Sequence, residues 1–453
     1  MALIKCPECG GNLSDKADFC PHCGCPKSEF QKNHNKSFNV EDDANNIRNL
    51  SDFEIKDGIL VSYKGYDDFL TLPNEVISIG EKAFVHVTSV VGHRIKGICI
   101  PDSVTSINDN AFMGCSELYW IQLPDSITNI GKEAFVETAY YKNTYNWKNG
   151  MLYIGNHLIA IDNSKHGFCN VRKGIRTIAG GAFDRCFNIT SVKLPEGITS
   201  IGKCAFHSCV NLKSINIPDG VEFIGEGAFW NCRNLKSIDL PNSVKFIGEN
   251  AFRDCNNLKS INIPENISSI EEYTFGYCEN FTNIEIPDNI ISIGKDAFAW
   301  CKNLNAISIP NGVKFIGEGA FCGCENLKSI NIPEKVSRIG RCTFLGCDKL
   351  TSITIPDNIK NVGELAFSNC YSLESIIIPN KVKSIGKRAF FDCKNLTSVS
   401  IPDKVTRVGD DAFSLCDNLK TVYFNSEEQI NKFSKSFPNR AKLIVKTEQE
   451  KIK

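Results

Sequence analysis

The sequence predicts an α/β repeat solenoid built from short strands and short helical or 3-10 segments. The first observation is a phenylalanine, usually preceded by alanine, that recurs every 23 residues from Phe183 to Phe413. The second is an alternation of apolar and polar residues that ends in proline, as in the segment 212–218 (LKSINIP). A fixed period of this length is typical of stacked units that bury their apolar faces only against their neighbours.

The first half of one unit predicts a short strand. The alternation places Ile215 and Ile217 on the buried side of this strand and leaves Ser214 and Asn216 on the outer side, and Leu212 is expected to point inward with them. The proline that follows has no N–H group to donate to a strand ladder, so we expect the strand to end there.

The second half of the unit returns the chain to the core. Val221 and Ile224 are expected to point inward, and the next glycine to form a tight turn. The segment from Ala228 to Cys232, with the pattern Ala-Phe-x-x-Cys, is expected to be a short helical or 3-10 piece. Its phenylalanine would fill the centre of the coil, and its cysteine would pack under the next strand.

The combined motif closely resembles the BspA-like class of leucine-rich repeats. It consists of a strand ending in Ile-Pro, a Val/Ile-Gly step and the Ala-Phe-x-x-Cys segment, and it recurs over about residues 51–440. The resemblance implies a leucine-rich-repeat solenoid with a capping hairpin at residues 53–60 and an irregular coil at residues 149–155. After a last strand at residues 421–424, we expect a closing helix over residues 427–442, because the open end of a stack must be covered.

The N-terminal segment contains two CxxC pairs separated by ten residues. Two such knuckles place four thiolates around a tetrahedral zinc ion and leave no open position, which is typical of a structural site. The segment also resembles the short zinc ribbons at the start of many bacterial and archaeal proteins. We therefore predict a zinc ribbon with one structural Zn²⁺, whose ligands are Cys6, Cys9, Cys20 and Cys23.

These patterns divide the chain into four parts. The stretch after the cysteines is polar and rich in Asn and Lys, so it cannot bury enough apolar surface to offset the entropy of ordering. The predicted parts are a zinc ribbon (1–26), a flexible polar linker (27–50), the solenoid with its N-terminal cap (51–424), and a C-terminal cap and tail (425–453).

A second set of cysteines follows the repeat. One cysteine stands three residues after the marker phenylalanine in most coils, from Cys115 and Cys186 onward to Cys416. A ladder of thiols could store metal or sense oxidants, but a small apolar residue at a tight buried position explains the same pattern. Because buried thiols without cationic neighbours are unreactive, we favour the structural interpretation.

Composition and motifs exclude several other classes. The net charge is −1, with 51 basic and 52 acidic residues, so no general attraction to nucleic acid or anionic lipid is expected. No phosphate-binding loop, nucleophile elbow or paired metal-binding histidine occurs, which predicts a protein that is not an enzyme and has no evident small-molecule substrate. We expect no signal peptide and no transmembrane segment, and hence a cytoplasmic location with reduced thiols.

The outward strand positions form the candidate binding face. They are polar, small and nearly uncharged, which suits a protein partner better than a phosphate backbone. A second, mostly serine row lies two residues earlier along each strand. The candidate contact residues are Trp120, Gln122, Lys193, Asn216, Asp239, Asn262, Glu285, Ser308, Asn331, Thr354, Ile377, Ser400 and Tyr423.

The function predicted from these features is a non-catalytic interaction scaffold. The solenoid face would bind a protein of unspecified identity, and the zinc ribbon would serve as a structural or docking module. Two alternatives remain open at this stage. One is a surface adhesin, which the resemblance to the BspA-like class favours, exported without a recognisable signal. The other is a nucleic-acid-associated protein that uses its zinc ribbon and would bind in a strongly salt-dependent way.

Overall fold

The computed structural model describes residues 3–5, 12–14, 50–85 and 95–446. The predicted zinc ligands Cys6, Cys9, Cys20 and Cys23, and the linker at 27–49, lie outside the described residues. The described chain forms two compact units. The N-terminal unit comprises Met1–Lys165, Val171–Cys186 and Pro195–Ala205, and the C-terminal unit comprises His166–Asn170, Phe187–Leu194 and Phe206–Lys453.

Short strands account for most of the regular structure. In chain order they are β1 Leu3–Lys5, β2 Asn12–Ser14, β3 Phe53–Lys56, β4 Ile59–Tyr63, β5 Phe69–Thr71, β6 Ser78–Ile79, β7 Gly97–Cys99, β8 Ser106–Ile107, β9 Trp120–Gln122, β10 Asn129–Ile130, β11 Trp147–Lys148, β12 Met151–Ile154, β13 His157–Ile161, β14 Gly167–Asn170, β15 Thr177–Ile178, β16 Ile189–Lys193, β17 Ser200–Ile201, β18 Ser214–Ile215, β19 Phe223–Ile224, β20 Phe246–Ile247, β21 Ser269–Ile270, β22 Asn283–Glu285, β23 Ser292–Ile293, β24 Ala306–Ser308, β25 Phe315–Ile316, β26 Ser329–Ile330, β27 Asn361–Val362, β28 Ser375–Ile377, β29 Ser384–Ile385, β30 Ser398–Ser400, β31 Arg407–Val408, β32 Thr421–Phe424 and β33 Lys442–Val445. The helices are α1 Ala139–Lys142 and α2 Glu427–Phe433, with 3-10 turns at Leu50–Asp52, Thr144–Asn146 and Ser434–Ser436.

Within each unit, successive coils pair as parallel strands in register. Most coils contribute one strand to a primary sheet and a two-residue strand to a second sheet, although the primary positions around Asp239 and Asn262 form no strand. In the primary sheet β22, β24 and β26 are neighbours, as are β28, β30, β32 and β33. In the second sheet β21, β23 and β25 are neighbours, as are β27, β29 and β31. Partners lie one period apart, as with Ser375 and Ser398, so both units are β-solenoids of leucine-rich-repeat type.

The core of both units is a column of stacked phenylalanine rings. In the N-terminal unit the Phe84 and Phe112 centroids are 4.8 Å apart, and in the C-terminal unit those of Phe390 and Phe413 are 4.9 Å apart. These distances equal the separation of hydrogen-bonded strands, so a ring in one coil meets its counterpart at stacking distance. The marker phenylalanines therefore occupy the coil centres, as the sequence predicts.

The Ala-Phe-x-x-Cys segments are turns, which corrects the predicted helical or 3-10 pieces. The second residue after the marker phenylalanine has positive φ, 62° at Asn231 and 58° at Asp254. In the same coil, Cys232 N donates back to Phe229 O at 3.2 Å, but Phe229 N donates to Ala251 O of the next coil at 2.8 Å. Because alternate amides bond to the neighbouring coil, a continuous helix cannot form.

Both ends of the stack are closed, one of them differently from the prediction. Strands β3 and β4 pair antiparallel, which confirms the N-terminal capping hairpin. At the C-terminus helix α2 ends at Phe433, and the residues from Lys442 onward form strand β33 rather than helix. Phe437 stacks on Phe413 at 4.7 Å, so this short cap extends the aromatic column by one ring.

An inserted hairpin interrupts the N-terminal unit. Strands β12 and β13 pair antiparallel, and β13 also pairs parallel with β15 of the following coil. Gly180 N donates to Ile130 O at 2.7 Å, so the coils on either side of the insert touch there. The hairpin therefore lies beside a junction between two coils, where the predicted irregular coil begins.

Candidate partner-binding face

Alternation along the primary strands places two rows of side chains outside. In β18, Ser214 is exposed and Ile215 is buried, and Asn216 immediately after the strand is exposed again. Of the predicted contact residues, Trp120, Ser400 and Tyr423 are half-buried and the others are exposed. Trp120 and Gln122 belong to the N-terminal unit, and the remaining residues from Lys193 to Tyr423 belong to the C-terminal unit.

The structure brings several of these residues into direct register. Glu285 pairs with Ser308, and Asn331 pairs with Thr354. Together with Ser329 they line a shallow depression of about 700 Å³ across strands β22, β24 and β26, which we call the sheet groove. The outward row therefore forms a shallow, open depression over these coils.

A second depression adjoins the sheet groove and carries negative charge. It has a volume of about 630 Å³ and is lined by Asn262, Glu265, Glu285 and Asp288, among others. Exposed lysines such as Lys236 precede the strands on the opposite side of the same face. A surface with carboxylates along one side and ammonium groups along the other favours a partner that carries both charges, such as a protein.

Three asparagines of the outward row hold the backbone of the preceding coil. Asn216 accepts from Leu194 N at 2.9 Å and donates to Leu194 O at 3.1 Å. Asn262 forms the same pair of bonds with Leu240, and Asn331 with Ile309. In other coils a backbone carbonyl takes this position, as when Ile401 N donates to Tyr423 O at 2.8 Å. The amides of these three candidates are thus engaged within the fold.

Ile377 stands out among the candidates by its exposure. Its side chain is 82% exposed on the face, and it pairs in register with Ser400. A large apolar side chain flanked by small polar ones is typical of an anchor that a partner buries on binding.

The structure reveals an exposed aromatic strip that the sequence analysis missed. Phe223 and Phe246 are 38% and 40% exposed, and their rings stack at 4.9 Å on the second sheet. Phe315 occupies the same position in a later coil and is 45% exposed. The signal was present, because these coils read Phe-Ile-Gly where most others have a polar residue before Ile-Gly.

The cysteine ladder is buried within the turns. Cys232 Sγ donates to Phe206 O at 3.1 Å, and the bond repeats up to Cys416 and Phe390 O at 3.1 Å. Burial raises the pKa of the Cys232 and Cys301 thiols well above their ordinary value. Protonated, hydrogen-bonded thiols are poor nucleophiles and poor metal ligands, which supports the structural interpretation.

The described part of the chain contains neither a metal-site cluster nor a membrane-spanning helix. No grouping of His, Cys, Asp or Glu side chains there has the geometry of a metal site. The helices among these residues are also too short and too polar to span a bilayer.

The fold and the repeat motif agree with known proteins. The family model described as "BspA type Leucine rich repeat region (6 copies)" matches residues 91–166, 176–305, 269–379 and 314–443. A leucine-rich repeat protein from Bacteroides ovatus has a similar solved structure, with 29% identity, a TM-score of 0.57, and coverage of 87% of this chain and 97% of that one.

More distant structures also match, and the search of curated proteins finds no match. The pneumococcal vaccine antigen PcpA shares 18% identity, with a TM-score of 0.46 and coverage of 66% of this chain and 98% of that one. A leucine-rich repeat protein from Eubacterium ventriosum shares 23% identity, with a TM-score of 0.40 and coverage of 60% and 94%. Because the family model covers more than half of the residues, this chain belongs to the BspA type leucine-rich repeat family.

Proposed function

We propose that the protein is a non-catalytic scaffold that binds a protein partner through the primary sheet of its C-terminal unit. The sheet groove is the observation that carries this proposal. It is recessed, it spans consecutive coils, and Glu285, Ser308 and Thr354 present side chains there that the fold does not require for its backbone bonds. Membership of a leucine-rich-repeat family supports a binding role over a catalytic one.

The negative charge beside the sheet groove favours a protein partner over nucleic acid. Glu265, Glu285 and Asp288 line the depression beside the sheet groove. A phosphate backbone would be repelled by these carboxylates, whereas a protein surface can offer lysine or arginine to them. Ile377 would provide the apolar anchor at a separate point on the same face.

A photo-crosslinking experiment tests the face directly. A photoreactive residue at Ser308 should capture a defined protein in the source cells, because Ser308 lies in the sheet groove. The matched control places the same residue at Lys302, which is half-buried, pairs with Glu279 and follows the marker turn of the preceding coil, and no capture of that protein is expected there. With the purified partner, Ile377→Asp should weaken binding about tenfold, the usual effect of losing one interface anchor. Equal capture at Ser308 and Lys302 would contradict the proposal.

The cellular location separates the scaffold from an adhesin. We propose a cytoplasmic protein, and external protease applied to intact source cells should then leave it uncut until lysis. A known cytosolic protein followed on the same immunoblot provides the control. If the protein is removed from intact cells, the adhesin interpretation replaces the cytoplasmic one.

A further inference from the structure

We propose that the N-terminal unit contains a site for an organic carboxylate with a short apolar body, at the junction beside the inserted hairpin. This site lies in a cleft of about 290 Å³, which we call the junction cleft. Its walls are the turn 131–136, the turn 179–185 and strand β13. All of these segments belong to the N-terminal unit, whereas the sheet groove of the proposed function belongs to the C-terminal unit.

The turn 131–136 differs from its counterparts in hydrogen bonding. In the preceding coil, Asn110 N and Phe112 N donate to Lys132 O and Ala134 O of the next coil, both at 3.0 Å, and Ala111 N donates to Asn108 O. The equivalent amides are those of Glu133, Ala134 and Phe135. None of the three has a hydrogen-bond acceptor among the described residues.

The inserted hairpin causes this difference. A regular coil would offer Phe135 N a carbonyl at the position of Ala182. Here Ile161 N of strand β13 donates to Ala182 O at 2.9 Å instead. The hairpin thus uses the acceptor of the following turn, and strand β13 lines the junction cleft together with the two turns.

The amides of Glu133 and Phe135, whose counterparts Asn110 and Phe112 donate to the next coil, lack those acceptors and form an anion-binding arrangement. The Ala134 amide between them resembles those of Ala297 and Thr343, which have no acceptor either. Glu133 has a φ of 59°, so the backbone passes through the left-handed region at the start of the run. Successive N–H groups around such a residue make a concave nest whose donors converge on a negatively charged group. Nests of this kind capture carboxylates, including peptide C-termini.

The charges around the nest are compatible with one added anion. Lys132 Nζ lies 2.8 Å from Asp184 and 4.0 Å from Glu133, so one cation is shared by both carboxylates of the junction cleft. Arg185 also lines the junction cleft, and it has no ion-pair partner within the described chain. A ligand carboxylate would therefore meet both the nest and an uncompensated guanidinium.

Apart from Asn163 and Tyr141, the rest of the junction cleft is apolar. Ile130, Phe135, Ile159, Ala160 and Ile161 line it, and each is less than 10% exposed. Their surfaces would contact a short aliphatic group attached to the carboxylate. A free organic acid and the C-terminal residue of a peptide share this chemistry.

Calorimetric titration of the full chain tests the site. The probes are N-acetyl-L-leucine, its uncharged amide, and an acetylated hexapeptide ending in leucine with either a free or an amidated C-terminus. We expect the free carboxylates to bind and the amides to bind at least about tenfold more weakly, because a charge-assisted hydrogen bond is lost. Binding of the small acid assigns the site to free acids, and binding of the hexapeptide alone assigns it to peptide C-termini.

Two variants locate the binding in the junction cleft. Lys132→Met removes the cation that lies 2.8 Å from Asp184 and should weaken carboxylate binding about tenfold. Lys203→Met is the matched control, since Lys203 is the equivalent residue two coils further on, where Gly181 N donates to Lys203 O at 2.9 Å and the turn is regularly bonded. Ala160→Leu, which fills the junction cleft from its apolar wall, should abolish binding while circular dichroism stays unchanged. The proposal is overturned if acids and amides bind equally, if neither binds, or if Lys132→Met and Lys203→Met behave alike.

Discussion

At the residue scale, the side-chain amides of three asparagines take the place of backbone groups as hydrogen-bond partners of the preceding coil. Asn216, Asn262 and Asn331 each present an amide to the N–H and carbonyl of the preceding coil, as a peptide unit of a longer strand would. Asparagine is depleted in strands because its side chain competes for backbone hydrogen bonds. Here the asparagine side chain makes the hydrogen bonds that a longer strand would make, so the N–H and carbonyl of the preceding coil stay paired.

His157 makes the stability of the N-terminal unit depend on pH. The residue is fully buried, its Nε2 is 3.1 Å from Pro124 O, and its Nδ1 contacts the Thr177 hydroxyl. Burial lowers the pKa of His157 below its ordinary value, and a backbone bond to Pro124 opposes this shift. The neutral ring fits both partners, since Nε2–H donates to the carbonyl and Nδ1 accepts from the hydroxyl.

Because the pKa of His157 is lowered in the folded chain, the stability of the N-terminal unit should fall at acidic pH. Above pH of about 6.5 the ring is neutral in both states, and the stabilisation is complete. As the pH falls below that value, the unfolded chain binds a proton that the folded chain excludes, so stability falls by up to about 1.4 kcal/mol per pH unit. Calorimetric unfolding should therefore show a lower Tm at pH 5.5 than at pH 7.5. His157→Gln should show a smaller drop, and an equal drop would contradict this role.

At the element scale, the turns before each primary strand are joined by a ladder of asparagine side chains. Each Nδ2 donates to the Oδ1 of the preceding coil, from Asn234 onto Asn211 at 3.1 Å through to Asn326 onto Asn303 at 3.1 Å. Asn211 bonds to Phe187 O at one end, and Lys349 donates to Asn326 at the other. The ladder couples successive coils of the C-terminal unit outside its apolar core.

Removing one member of the asparagine ladder should destabilise the C-terminal unit. Asn257 donates to Asn234 at 3.0 Å and accepts from Asn280 at 3.2 Å, so Asn257→Ala removes two bonds. We expect a loss of about 1–2 kcal/mol in the free energy of unfolding, measured by urea denaturation. The control is Asn305→Ala, which removes an exposed asparagine outside the ladder and should change stability by less than about 0.5 kcal/mol. Equal effects of the two variants would argue against the ladder.

At the scale of the whole molecule, the solenoid is joined to an N-terminal segment that we propose to be a zinc ribbon. Strands β1 and β2 pair antiparallel, with Leu3 opposite Ser14 and Lys5 opposite Asn12. The connection between them contains Cys6 and Cys9 by sequence. A hairpin that carries a CxxC pair is typical of a zinc knuckle, and this pairing supports the proposal.

Metal analysis tests the zinc ribbon. The purified chain should contain one Zn²⁺, and the double variant Cys6→Ser/Cys9→Ser should lose it, because two thiolates cannot complete a tetrahedral site. Cys25→Ser is the matched control, since Cys25 lies outside the two CxxC pairs and should leave the zinc content unchanged. Zinc retained in the double variant would show that the ligands are elsewhere.

The sequence by itself determined the repeat, the coil centres and the two faces of the primary strand. The 23-residue period and the alternation of Ile215 and Ile217 with Ser214 and Asn216 predict which residues are buried, and the family match agrees with the repeat. These features depend on local pattern, which is why they could be predicted. The candidate residues of the sheet groove are outward for the same reason.

The tertiary structure alone decided what happens between coils. The Ala-Phe-x-x-Cys segments became turns because Phe229 N finds its acceptor 22 residues later, at Ala251 O. The engagement of Asn216, the asparagine ladder and the junction cleft depend likewise on which backbone groups of the neighbouring coil are available. Hydrogen bonds between coils join residues distant in sequence, so a single coil does not contain the information that specifies them.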